Sequence, residues 1–360
     1  MKEKNIIHDI VSEIEKIDFI EIFKAIRPVL ICYITSRSVN NYILHRRHKP
    51  ANYLKVYIPE EIEKKHYNVS DIDIEKVYSL KFNEQLRYFT KGMTENFKEE
   101  DLQNFFNNIN SLKIETIKKK KSKFHNYYTI GTYDTDINTV YITNETADIA
   151  IYHELFHMAS TKMDDDNVTR TGFHYINKHG NVGIGINEGY TYLLSKRYFE
   201  DSKYGYNYEL VIAKKLEEII GKEKMESLYL NANLYGLINE LRQYEDEKEI
   251  MKFIYNIDFI TSIVGDKKRN SLGRKYLQDS IYSASDFLIR CYFKKRLNEF
   301  DNGMISYEVL ESSIFNYIEE LDLRFKIEKE KYNYINKDSV IDTMNSVIES
   351  DNRCISKRNF

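Results

Sequence analysis

Ile151-Tyr152-His153-Glu154-Leu155-Phe156-His157-Met158-Ala159 is the stretch on which the reading of this chain turns. Apolar side chains surround two histidines four apart, and neither glycine nor proline interrupts the run, so the pattern predicts a helix. On a helix, positions i and i+4 share one face, a turn apart. Two imidazoles placed in this way can bind one metal ion, with Zn–N bonds of about 2.0–2.1 Å. Glu154 follows the first histidine, where a carboxylate reaches a metal-bound water rather than the metal, the position of a general base.

A catalytic zinc needs a third protein ligand and one open position. Ser160 and Met163 occupy the places that an H-E-x-x-H-x-x-G-x-x-H pattern gives to glycine and the third histidine, which excludes that pattern. Downstream candidates are Asp164, Asp165, Asp166, His174, His179 and Glu188. Glu188 is the best of them. It lies in Gly185-Ile-Asn-Glu-Gly-Tyr-Thr-Tyr-Leu-Leu194, at or near the start of an apolar helix. A carboxylate there is costly unless it is paired or bound to a cation. Asn187 is placed to cap this helix, and Gly189 to let it approach the histidine helix closely.

Working outward, Tyr127–Tyr133 and Thr139–Thr143 are β-branched and aromatic around the turn-like Asp134–Asn138, which predicts an antiparallel hairpin. Asn144 then caps a helix running to Ala159. Such a hairpin suits an extended peptide, which can pair with a strand edge and lie across the metal. Between the two motifs, residues 161–186 carry Gly172, Gly180, Gly183 and Gly185 and are read as a long loop, a flap over a cleft.

The flanks read as helices. Ile7, Ile10, Val11, Ile14 and Ile17 recur at helical spacing, Tyr53–Ile58 alternates weakly like a strand, and a helix is expected from Glu95 to Lys118 with Thr94 as its N-cap. The Lys118–Lys123 run reads as a solvated helix end. Towards the C-terminus, Tyr208, Val211, Ile212, Leu216 and Ile219 share one face, with Gly221 ending that helix, and Ile250, Phe253, Ile254, Ile257, Ile260 and Ile263 share another. Ser306 is expected to cap a helix running to Tyr332, and Asp338 the last one. The chain is divided accordingly into a mostly helical region at 1–120, a metal-binding core at 121–220 and a helical region at 221–360.

Composition agrees with a mainly α (α+β) chain. Of 360 residues, 42% are hydrophobic, and only 13 are glycine and 3 proline (Pro28, Pro50 and Pro59), too few turn formers for an all-β sandwich. The 53 basic against 56 acidic residues give a formal net charge of −3, no mark of a nucleic-acid binder. Cys32, Cys291 and Cys354 are scattered and odd in number, which fits a reducing compartment. The N-terminal stretch lacks the apolar core of a signal peptide, and Val29–Ile34 is too short to span a bilayer, so the chain reads as cytoplasmic with no membrane partner.

His153-Glu-Leu-Phe-His157 followed by Asn187-Glu-Gly-Tyr-Thr-Tyr-Leu193 resembles the gluzincin clan of zinc metallopeptidases, the thermolysin-like zincins. The resemblance covers residues 125–220, and the same stretches are similar to cytosolic proteins of low-GC bacteria. It implies a zincin-like core with a small sheet, and one zinc per chain held by His153, His157 and Glu188. It also implies Glu154 as general base and a peptide or protein substrate. Two positions depart from the clan. Tyr192 stands where a supporting Asp follows the ligand glutamate by four residues, and no histidine follows His179 to stabilise the tetrahedral intermediate. That role is left to Tyr204, Tyr206, Tyr208, Tyr235, an arginine, or one of His174, Tyr175 and His179. The alternative expectation is a helical interaction protein that keeps the metal site without turnover.

Overall fold

The Ile250 stripe shows how the fold is assembled. Ile250, Phe253, Ile254, Ile257, Ile260 and Ile263 are all buried, at the spacing that puts one helical face against a core. In the computed structural model, which describes residues 67–117, 131–143, 147–164, 168–177, 180–200, 207–264 and 271–325, helices of this kind dominate and two small sheets lie among them. The helices are α1 Ile74–Tyr78, α2 Asn83–Asn96, α3 Gln103–Ile109, α4 Ala147–Ala159, α5 Ile184–Phe199, α6 Asn207–Ile220, α7 Lys222–Leu230, α8 Leu234–Leu241, α9 Glu247–Val264, α10 Ser271–Asp301 and α11 Tyr307–Phe325. No helix among the described residues is long and apolar enough to cross a membrane.

The first sheet has strand order β1-β3-β2, with β1 Lys113–Thr116, β2 Gly131–Asp134 and β3 Thr139–Ile142. β2 and β3 form the expected antiparallel hairpin, in register from Gly131 opposite Ile142 to Asp134 opposite Thr139. β1 joins β3 in parallel. Residues 127–130, Asn144, the Ile7–Ile17 and Tyr53–Ile58 segments, the Lys118–Lys123 run, Cys32, Cys354 and Asp338 lie outside the described residues. The helix expected from Glu95 to Lys118 is not formed. α2 ends at Asn96, α3 is short, and Lys113–Thr116 is a strand. Thr94 is no N-cap; it lies in the last turn of α2, where its hydroxyl donates to the Thr90 and Lys91 carbonyls. The run Lys113-Ile-Glu-Thr116 alternates exposed and buried, and pairing with β3 outweighs the helical propensity of its neighbours.

The segment between the two motifs is also not a loop. It is a four-stranded antiparallel meander: β4 Thr161–Asp164, β5 Val168–Thr171, β6 His174–Asn177 and β7 Gly180–Val182. Its glycines punctuate strands instead of freeing a flap. Gly183 joins β7 to α5 at φ +82°, and a Cβ there would stand 2.1 Å from the Phe173 carbonyl oxygen.

α4, α5 and α2 meet at an aromatic cluster. Tyr152 stacks on Phe199 with ring centroids 4.9 Å apart, Phe89 lies 5.0 Å from Phe199, and Phe156 is edge-on to Phe89 at 5.3 Å. The C-terminal helices close over the other side, with α9 packed on α5 and α10 packed on α9, α11 and α6. Gly183→Ala is expected to lower stability by about 2 kcal/mol or more, because both the left-handed backbone and the carbonyl contact exclude a Cβ. Urea unfolding followed by circular dichroism measures it, and an unchanged midpoint would refute the account of this turn.

Candidate metal centre

α4 carries His153 and His157 one turn apart, and α5 crosses beside it with Glu188. The two Nε2 atoms are 3.1 Å apart, and Glu188 Oε2 lies 3.1 Å from Nε2 of His153 and 3.5 Å from Nε2 of His157. The rings stand nearly perpendicular, at 81°. Among the described residues, these three form the group whose ligand atoms lie mutually within reach of one ion. A tetrahedral ion with bonds of about 2.0–2.1 Å sets its ligand atoms about 3.3–3.4 Å apart, so the triangle matches one face of a zinc tetrahedron. The donor set, two imidazoles and one carboxylate, fits zinc and leaves the fourth corner open. The side chains keep 9–15% exposure, which makes the place largely dry yet reachable from solvent. Burial raises the Glu188 carboxyl and the two imidazoles outweigh it, so the group is held well below the usual carboxylate range and stays an anion.

The end of α4 and both ends of α5 are fixed from outside. The Asn108 side-chain amide donates to the Met158 and Thr161 carbonyls at 2.9 and 2.6 Å, satisfying the end of the histidine helix. The Thr161 hydroxyl donates to the His157 carbonyl at 2.7 Å. At the start of α5, Asp258 from α9 accepts from Gly183 N–H on Oδ2 and from Gly185 N–H on Oδ1, both at 2.8 Å. A carboxylate at a helix N-terminus also meets the positive end of the dipole. At the far end, Arg197 pairs with Glu217 at 2.6 Å and Glu226 at 3.0 Å.

Asn187 is not the cap that its position suggested. It is the fourth residue of α5, its Oδ1 accepts from Phe173 N–H at 3.1 Å, and its Nδ2 lies 3.3 Å from Nδ1 of His157. An imidazole that gives its Nε2 lone pair to a metal keeps its proton on Nδ1. The Asn187 amide meets that proton only by a half-turn that brings Oδ1 round from Phe173. Gly189 does allow a close approach, but to α6: a Cβ there would stand 2.3 Å from the Glu209 carbonyl oxygen.

Glu154 is buried beside His153. A Cβ on Gly131 would be 3.0 Å from both its Cγ and its Oε1, so the carboxylate runs along β2, an outer strand of its sheet among the described residues. Of the other residues weighed, Tyr175 is buried with Arg170 over its ring, Tyr208 stacks on Phe325, and Tyr235 lies under Arg242. Tyr192 is buried. Asp164 ends β4, and Asp165, Asp166, His179, Tyr204 and Tyr206 lie outside the described residues. His174 opens β6; burial pushes its ring down to about 4, with the Glu188 charge opposing the shift and the His157 charge adding to it. The residue that sequence reasoning missed is Asp258. Its signal was an acidic residue set directly in the isoleucine stripe of α9. Comparison of the chain with family models, curated proteins and solved structures found no match.

Asp258→Ala leaves two buried N–H groups bare and is expected to cost about 2–4 kcal/mol in urea unfolding, with Asp258→Asn costing less. A loss below about 0.5 kcal/mol for the alanine variant would refute the cap. A second expectation concerns pH. The unfolded His174 ring takes a proton near 6.5 and the folded ring only near 4, so the unfolded state binds more protons between these values. Chelator-treated protein therefore loses stability as pH falls from 6.5 to 4. His174→Phe is expected to remove a contribution on the order of 3 kcal/mol from that slope, as measured by urea titrations at several pH values.

Proposed function

We propose that this protein is a zinc-dependent hydrolase of gluzincin type acting on peptide bonds, with one zinc per chain held by His153, His157 and Glu188. The observation that carries the reading is the triangle of 3.1, 3.1 and 3.5 Å made by their ligand atoms, with Glu154 next to it on the same helix. A zinc ion bound there supplies a Lewis acid and brings the pKa of a water near 7.

The remaining steps belong to the chain. Glu154 takes a proton from the attacking water as it adds to the carbonyl carbon, and hands it to the leaving amine. Its burial beside β2 keeps the carboxylate from bulk water, and the free edge of β2 among the described residues offers backbone groups for an extended peptide to pair with. Glu188, held as an anion, balances the positive charge of the ion. The zincin-like arrangement of this core belongs to the same proposal.

A second reading keeps the metal and omits the turnover, an interaction protein built on the helical flanks. Tyr192 in place of the supporting Asp favours it.

Glu154→Gln separates the two. It is expected to retain about one zinc per chain by plasma mass spectrometry and to lose hydrolysis of a peptide library by about 10²–10⁴-fold. Glu188→Ala is expected to purify with far less zinc. Wild-type protein that holds zinc but cleaves nothing would establish the second reading, and wild-type protein free of zinc after incubation with it would overturn both.

A further inference from the structure

In the face of the first sheet that α4 covers, one position has no side chain. α4 packs on both β2 and β3, and Val140 and Ile142 of β3 are fully buried. Gly131 stands directly opposite Ile142, and side chains of directly paired residues leave a sheet on the same face. An apolar side chain at 131 would therefore carry this face out to the outer strand. Glycine leaves a notch there instead.

The notch is occupied by Glu154. A Cβ at 131 would stand 3.0 Å from its Cγ, 3.0 Å from its Oε1 and 3.3 Å from its Cδ, and these are the three nearest heavy atoms. The backbone of Gly131 is not left-handed, so its conformation admits any residue. Glycine inside a strand weakens it and marks a place where another group comes close. Here that group is a carboxylate. Laying a carboxylate along an apolar sheet face costs free energy, so packing alone does not explain why the notch holds this side chain. An alanine at 131 would press the carboxylate aside by a few tenths of an ångström.

Resting on the zinc-hydrolase reading, we propose that Gly131 is a positioning residue, whose missing side chain is the space that fixes where the Glu154 carboxylate stands beside the metal centre. A general base works within heavy-atom separations of about 2.6–3.2 Å, so a displacement of this size is felt. Misplacement on the order of 1 Å costs about 10²-fold in rate. A side chain at 131 meets the base first, and so acts on Glu154 while His153, His157 and Glu188 keep their places.

Acetohydroxamate, a small metal chelator whose hydroxyl needs an acceptor beside the metal, tests this without a substrate. Its affinity for the cobalt(II)-loaded protein is read from the visible spectrum, beside cobalt content and melting temperature, for Gly131→Ala, Glu154→Ala and the double variant. Glu154→Ala is expected to weaken acetohydroxamate about tenfold or more. Gly131→Ala is expected to weaken it about fivefold while keeping about one cobalt per chain. Once Glu154 is alanine, adding Gly131→Ala is expected to change the affinity less than about twofold, because the contact is gone. Equal weakening by Gly131→Ala with and without the carboxylate overturns the role, since the alanine then acts through the strand. So does wild-type affinity in Gly131→Ala or in Glu154→Ala, and so does loss of cobalt from Gly131→Ala. If Gly131→Ala alone does not fold, the double variant decides: a folded one upholds the contact with Glu154 as the cause, and an unfolded one overturns it. Wild-type protein that takes up no cobalt overturns the metal-site reading and this inference with it, an outcome distinguishable from the others because it shows in the unmutated chain.

Discussion

His153 Nε2, His157 Nε2 and Glu188 Oε2 lie within 3.1–3.5 Å of one another in a place nearly closed to water, and the imidazole groups hold the Glu188 carboxylate as an anion there. The scaffold around them is arranged to hold that geometry. Aromatic packing of Tyr152, Phe156 and Phe199 presses α4 and α5 together, and burying such rings contributes roughly 1.5–3 kcal/mol each. Asn108 fixes the end of one helix and Asp258 the start of the other, so neither can rotate its ligands away. Packing and capping together hold the three side chains where a cation could take the place of the imidazole protons among them.

Much of this was legible in the residues, and the failures have physical causes. Local signals worked where they were strong. The β-branched runs gave the β2–β3 hairpin, the apolar run gave a helix ending at Ala159, and the isoleucine stripe gave α9. The i, i+4 histidines and Glu188 were singled out by chemistry, and the structure brings them together. The meander β4–β7 was hidden because its strands are only three or four residues long and rich in polar side chains, so the glycines between them read as a loop. β1 was hidden because a four-residue strand whose partner lies 26 residues on leaves no local trace. The place of Asn187 at the start of an apolar helix suggests a cap; its actual partners, Phe173 and His157, come from other elements.

The meander changes what the linking segment does. A flap would have been able to lift away from the site. A paired sheet cannot do so without breaking backbone hydrogen bonds, and its turn at 171–174 is tied to both ligand helices. The strands β4 to β7 therefore form a fixed wall on that side. The side chain that faces His157 Nδ1 is Asn187, on the same helix as Glu188, whereas Tyr192 is packed into the interior. One short helical segment thus contributes both a ligand-bearing residue and the side chain that faces another ligand.

Asp258 has a consequence in time as well as in space. It lies 75 residues after Gly183 and 73 after Gly185, the two N–H groups that it holds. During synthesis the chain emerges from its N-terminal side, so His153, His157 and Glu188 are all present well before the carboxylate that steadies the Glu188 helix. In the interval, α5 begins with open N–H groups and without its anionic anchor. Completion of this site therefore waits on a helix that is synthesised later and contributes none of the three ligand atoms.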